Sequence, residues 1–248
     1  MTARSASVRR LLWTWHRRLG ALVAVVVLLL ALTGIALNHT EALRLDERHV
    51  EAGWLLDWYG VEPPGAGFGF VAGAHRVTLL GDHLYADRRL LGEGFGALHG
   101  AVALDGLLAI AVDGDVLLLT DDLELVERLD RYSGLPPGPR GIGVTPQGGL
   151  AVRSEGGLWL ADEALLSWRS VAERTDIAWA TPTPPPAPLL ADLRADFRAR
   201  MLTWERALLD LHSGRLFGRF GPLVMDLAAL FMVVLAVSGF WLWTAGRR

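Results

Sequence analysis

LGALVAVVVLLLALTGIAL (residues 19–37) and LAALFMVVLAVSGFWLW (residues 227–243) are uncharged apolar runs at opposite ends of a 248-residue chain. A bilayer hydrocarbon core of roughly 30 Å is crossed by about 20 helical residues, so each run is long enough, or nearly so, to span it. For the first run the alternative is a cleavable signal peptide, with Gly34-Ile35-Ala36 as the small-residue site. The run exceeds the roughly 7–15 apolar residues of a signal core, and the second span needs a partner. A retained anchor is therefore the favoured reading.

The charges around the runs orient them. Arg4, Arg9, Arg10, Arg17 and Arg18 precede the first, and Arg247 and Arg248 follow the second. Basic residues collect on the cytoplasmic side of membrane helices. Both flanks are thus expected in the cytoplasm and residues 40–219 outside it, although Arg215 and Arg219 pull weakly the other way. The pairs Trp13 and Trp15, and Trp241 and Trp243, fall at the same expected side and fit an interfacial aromatic belt. Thr33-Gly34 and Ser238-Gly239 read as related punctuation near the end of each span, where small residues let helices approach.

A hydrophobic content of 52% leaves room for the two spans and one further domain. All 24 basic residues are arginine, the net charge is −3, and no basic run suits a nucleic-acid groove, so no nucleic-acid partner is expected. With no cysteine, disulfides, thiolate zinc sites, iron–sulfur clusters and covalently attached haem are excluded. The signatures of serine hydrolases, P-loop NTPases, zincins and dinucleotide enzymes are missing as well.

Between the runs the period changes. Residues 76–87, 106–121 and 149–162 read as β-hairpins, and LLGDHLYAD, AVDGDVLLLTD and RSEGGLWLAD align on their turns. In each the second strand ends in aspartate. Three such units predict a small antiparallel domain, a sandwich or a propeller-like fragment. ATPTPPPAP (residues 180–188) reads as an extended linker, and residues 189–211 as one amphipathic helix leading to the second span. The expected organisation is 1–40, tail and first transmembrane helix; 41–179, extracytoplasmic β domain; 180–219, linker and amphipathic helix; 220–248, second transmembrane helix. The fold class is membrane α plus extracytoplasmic all-β.

Histidines flank the spans. His39 follows the first and His212 precedes the second, both on the extracytoplasmic side. A haem b held by two helices needs an imidazole from each at similar depth, with basic groups near its propionates, for which Arg44, Arg215 and Arg219 stand nearby. Depth opposes the pairing: on a straight helix His212 lies about 22 Å above residue 227. Gly214, Gly218, Gly221 and Pro222 make a straight helix improbable there. His16 lies about 35 Å from His39 along a continuous helix, so a cytoplasmic haem would require His16 from a second subunit. Each histidine has a plain alternative as an interfacial hydrogen-bonding residue. Asp226 reads as marking the lipid boundary, and His49, His75, His83 and His99 as surface or packing residues.

WHRRLGALVAVVVLLLALTGIALNH (residues 15–39) resembles the first membrane helix of PepSY-associated transmembrane proteins, with a His-Arg-x-x-Gly start and a Thr-Gly exit. LHSGRLFGRFGPLVMDLAALFMVVLAVSGFWLW (residues 211–243) is similar to a later helix of that group, with Leu-His-Ser-Gly-Arg, a glycine-rich turn, Ser-Gly and Trp. The strings cover about a quarter of the chain. The resemblance implies a bacterial inner-membrane protein linked to iron uptake, akin to reductases that release iron from ferric siderophores through membrane haem. It makes His16, His39 and His212 candidate haem ligands. Siderophore-reductase members have four spans, so a two-span chain is expected to form a homodimeric four-helix bundle. A ferric chelate or a periplasmic protein is the expected partner of the β domain. A non-catalytic membrane-anchored binding, assembly or regulatory protein is the alternative.

Overall fold

A computed structural model describes residues 3–65 and 67–245, with side chains from residue 12 to 244. Arg247, Arg248 and the side chains of Arg4, Arg9 and Arg10 lie outside the described residues. In chain order the elements are α1 (Ala3–Asn38), α2 (Thr40–Leu43) and α3 (Gly53–Trp58). Then come β1 (Phe68–Ala72), β2 (His75–Leu80), β3 (His83–Ala86), β4 (Arg89–Gly92), β5 (Leu98–Leu104), β6 (Leu107–Val112), β7 (Asp115–Thr120) and β8 (Leu125–Leu129). The last strands are β9 (Gly141–Val144), β10 (Leu150–Ser154), β11 (Gly157–Ala161), β12 (Trp168–Val171) and β13 (Ala178–Trp179). Three helices close the order: α4 (Ala187–Arg200), α5 (Trp204–His212) and α6 (Gly221–Ala245). The chain divides into residues 1–58 with 199–248, and residues 59–198.

The first unit carries both stretches long and apolar enough to cross a membrane, Leu12–Asn38 and Trp204–Thr244. α1 packs against α6 and α5. Its half-buried or buried positions include His16, Gly20, Val23, Leu30, Thr33 and Leu37, a stripe at three- and four-residue spacing along one face. Facing them on α6 are Gly221, Met225, Ala228, Leu235, Ser238 and Gly239. Apart from Arg17 and Arg18 on α1 and Asp226 on α6, the remaining described surface of both helices is mostly apolar and exposed, as suits a lipid-facing surface. A short strap joins the segments around the helix pair: Val50 N–H donates to Leu202 O at 2.8 Å, and Trp204 N–H to Arg48 O at 2.9 Å.

The second unit is built of three antiparallel meanders: β1-β2-β3-β4, β5-β6-β7-β8, and β12-β11-β10-β9 extended by β13. The three expected hairpins are β2–β3, β6–β7 and β10–β11, the middle pair of each sheet. The leading strands pack on one another, β1 on β5 and β5 on β9, in a propeller-like succession of blades. The middle sheet is covered on both faces. Leu108, Ile110, Leu117 and Leu119 pack with Phe70, Val77 and Leu84, whereas Ala109, Ala111, Val116 and Leu118 pack with Ile142, Leu150 and Val152. Burial on both faces is why LLAIAV and DVLLLT are continuous apolar runs rather than alternating ones.

The strand-ending aspartates close the following turns. Asp87 adopts φ 52° and accepts from Arg76 N–H at 3.0 Å. Asp162 accepts from Leu166 N–H and Ser167 Oγ–H, and these bonds hold its carboxyl below the usual carboxylate range.

The C-terminal helical region differs from the single helix expected over residues 189–211. α4 belongs to the β unit, where Leu193 and Phe197 pack on Leu80 and Tyr85, and Tyr85 Oη–H donates to Asp196 at 3.0 Å. The helix stops at Arg200, and Thr203 caps a new one by accepting from Arg206 N–H at 3.2 Å. Leu202 between them is committed to Val50. One amphipathic pattern thus serves two units.

Ile110, fully buried between two blades, should lose about 2–5 kcal/mol of stability on truncation to Ala. Val126→Ala, at an exposed position, should stay within about 0.5 kcal/mol. Denaturant unfolding of the detergent-solubilised chain followed by tryptophan fluorescence compares the two.

Candidate functional site: reciprocal histidine clasps

α1 carries His16 just before its apolar run and Thr33-Gly34 near its end; His212 ends α5, ahead of α6, and Ser238-Gly239 lies near the end of α6. Antiparallel packing sets each histidine on the other segment's hydroxyl-glycine pair. His16 Nδ1 lies 2.8 Å from Ser238 Oγ, and His212 Nδ1 lies 2.8 Å from Thr33 Oγ1. The glycines make room for the rings. A Cβ on Gly34 would lie 3.5 Å from His212 Cε1, and one on Gly239 would lie 3.2 Å from His16 Cε1.

The direction of these bonds follows from the hydroxyls. Thr33 Oγ1–H donates to Leu29 O at 2.8 Å, and Ser238 Oγ–H donates to Leu235 O at 3.2 Å. A hydroxyl has one proton, so each oxygen is left with acceptor capacity only. The arrangement that satisfies every group therefore has Nδ1–H of each imidazole donating to the hydroxyl oxygen. In that tautomer each Nε2 keeps its lone pair.

The depth problem at His212 is solved by glycine. Gly214, at φ 80°, ends α5 in a left-handed turn, and Gly218, at φ 72°, reverses the chain within the Arg215–Phe220 turn. The Gly214 carbonyl then packs directly on Gly221, where a Cβ would overlap the oxygen. Gly214 consequently lies against the first turn of α6, and His212, two residues earlier, reaches Thr33 instead of standing a helix length away.

The two clasps lie 17 residues apart on α1, about 26 Å along its axis. His39 is in the turn after α1, exposed, six residues beyond Thr33, and its side chain makes no cap hydrogen bond. The structure thus brings His39 and His212 to the same end of the helix pair and sets His16 at the other. Of the arginines read as propionate partners, Arg44 binds Glu47 at 2.7 Å. Arg215 is exposed at the start of the glycine turn, and Arg219 lies over the Phe220 ring at 4.6 Å. Neither Arg215 nor Arg219 makes an ion pair with a described residue. Thr33 and Ser238 are the residues that histidine-centred reasoning passed over; their signal was the repeated hydroxyl-glycine pair.

Of the other histidines, His49 bridges Thr203 within the helical unit, and three serve the β unit. His75 bonds Asp87 at 2.8 Å, His99 Nε2–H donates to the Asp113 carbonyl at 3.1 Å, and His83 is buried beside Asp82, whose carboxyl it holds below the usual range. No group of three or more histidines or carboxylates among the described residues gathers to hold a bare metal ion. The same unit has an open cleft of about 310 Å³ along the leading strands, lined by Phe68, Phe70, His99, Arg140, Arg153 and Trp179. Within it the Arg153 guanidinium stacks on Trp179 at 4.4 Å.

Thr33→Val, which removes the acceptor but keeps the shape, should lower stability by about 1–3 kcal/mol by leaving His212 Nδ1–H unpaired, whereas Thr33→Ser should stay near the native value. Gly221→Ala should destabilise at least as much, because its Cβ has no space beside Gly214. Thermal unfolding in detergent measures all three.

The family comparison covers nearly the whole chain: the model of the PepSY-associated TM region matches residues 1–246. No curated protein and no solved structure matches it. With two apolar helices joined end to end by histidine clasps, the chain belongs to the PepSY-associated transmembrane family and is a membrane protein.

Proposed function

We propose that the chain is a haem b electron-transfer protein of the bacterial inner membrane, passing electrons to a ferric chelate of the siderophore type. The observation that carries this reading is that both clasped imidazoles set Nδ1 on a hydroxyl oxygen. Each has Nδ1–H fixed by a hydroxyl and Nε2 left as a donor, the arrangement in which histidine binds iron with its second nitrogen held by an outer partner. The donor set fits haem b: imidazoles are present, cysteine is absent, and covalent attachment is excluded.

In this reading His212 and His39 would hold haem at one end of the helix pair, and His16 would hold one at the other. Arg215 and Arg219, free of carboxylate partners, suit propionates. Haem, when bound, supplies a one-electron Fe(III)/Fe(II) couple. Thr33 and Ser238 hold the rings in orientation and keep the proton on Nδ1. The apolar stripe between α1 and α6 excludes water from the path between the ends. The β unit offers the cleft of Arg140, Arg153 and Trp179, whose cationic and aromatic lining suits an anionic chelate. The arginine bias around the first span supports both termini in the cytoplasm and the β unit outside.

The alternative is a membrane-anchored binding or regulatory protein in which the clasps only fasten helices. It is favoured by the fact that each clasp is complete without a ligand.

A reduced-minus-oxidised spectrum of the purified chain, expressed with haem supplied, separates the two. A b-type α-band that is lost in His212→Ala, kept in His75→Ala and shifted in potential in Thr33→Val supports electron transfer. A folded, colourless protein overturns it.

A further inference from the structure

Asp226 is an ionisable side chain placed deep in an apolar helix pair, and it faces away from its partner helix. Gly239 lies against His16 and Gly20 against Leu235, so a step of four along α1 is matched by a step of four back along α6. Carried nine residues further, this register sets Asp226 opposite Leu29. That level is about 15 Å from Leu19 and about 12 Å from Leu37, the ends of the apolar run. Nine residues at 100° each also turn Asp226 half a revolution away from Leu235, onto the face of α6 opposite α1. There it is exposed and has no hydrogen bond or ion pair with any described residue. The boundary position read from the sequence rests on where the unbroken apolar run starts, whereas α6 begins at Gly221, five residues before Asp226.

The surrounding face is regular. Leu223, Leu230, Val233, Val237 and Phe240 flank Asp226 at alternating three- and four-residue steps and are each between 58 and 67% exposed. A 3.5-residue repeat is the seam of a helix that packs along another helix, and one polar residue in such a seam sets its register. Carboxylates are not left facing hydrocarbon at mid-span; they pair within a bundle. No arginine lies between Arg18 and Arg44 or between Arg219 and Arg247, and the His212 imidazole is held by Thr33 on the α1 side of the pair.

We infer that this face of α6 is the homodimer interface, with Asp226 of two copies meeting at its centre. Copies inserted in the same sense are related by a two-fold axis along the membrane normal, so each seam residue meets its own counterpart. Two carboxyl groups brought together in a low-dielectric site share one proton, the O–H of one donating to the carboxylate oxygen of the other. A second copy is thus self-complementary without an added cation. The pairing places the α6 helices at the centre and the α1 helices three interhelical spacings apart, roughly 24–30 Å. A haem joining two α1-borne His16 side chains across this interface is therefore excluded. The inference does not depend on haem.

Because the chain contains no cysteine, single-cysteine variants report the interface directly. Oxidation of the full-length protein in haem-free proteoliposomes should give dimers at Leu230→Cys, Val233→Cys and Val237→Cys, at least fivefold above Leu22→Cys on the outer side of α1. In detergent, Asp226→Leu should weaken self-association tenfold or more, while Asp226→Asn, which still donates and accepts, should remain within threefold of wild type. A monomeric wild type, equal cross-linking at Leu22 and Val233, or undiminished association of Asp226→Leu would overturn the assignment.

Discussion

The reciprocal hydrogen bonds between His16 and Ser238 and between His212 and Thr33 set the constraint to which the rest of the first unit conforms. In lipid, apolar surfaces gain little by leaving one hydrocarbon for another, so helix pairs depend on close packing and on polar contacts that find no water to compete. Each contact of this kind contributes about 0.6–2 kcal/mol, and two of them at opposite ends of the pair fix both its register and its rotation. Once His16 meets Ser238, Gly20 must face Leu235 and Ala228 must turn toward α1. Asp226 must then turn outward. The apolar seam only has to fill the space between two bolted ends.

The same constraint explains the glycine-rich turn. His212 precedes α6 by nine residues and could not reach the depth of Thr33 from a straight extension of that helix. Gly214 and Gly218 reverse the chain at positive φ, and Gly214 seats on Gly221 where no side chain fits. Three glycines in eight residues are thus required by the position of one imidazole. The β unit obeys a different logic. Its register is set by burial on both faces of the middle sheet, and its turns are closed by aspartates that accept backbone N–H groups.

The sequence displays the spans, the three hairpins and the aspartate-ended strands because each rests on a short-range signal: length, two-residue alternation or a turn residue. It also displays the two hydroxyl-glycine pairs, which repeat at equivalent places. It does not display what those pairs touch, since the His212–Thr33 contact joins residues 179 positions apart through a turn that no periodicity describes. The break between α4 and α5 is hidden for a similar reason. Residues 189–211 hold a helical pattern throughout, but Leu202 is taken by Val50, a partner 152 positions away. The start of α6 is hidden as well: the unbroken apolar run begins at Leu227, whereas the helix begins at Gly221.

The clasps also connect fold to function. A histidine whose Nδ1 proton is held by a hydroxyl keeps its other nitrogen for a ligand, so one bond serves both helix packing and any iron the protein carries. ¹⁵N NMR of selectively labelled imidazoles in haem-free protein tests this most directly. The account predicts that His16 and His212 both show protonated Nδ1 and bare Nε2, and that Thr33→Val releases His212 alone from this state. Protonated Nε2 with bare Nδ1 at either ring would contradict it.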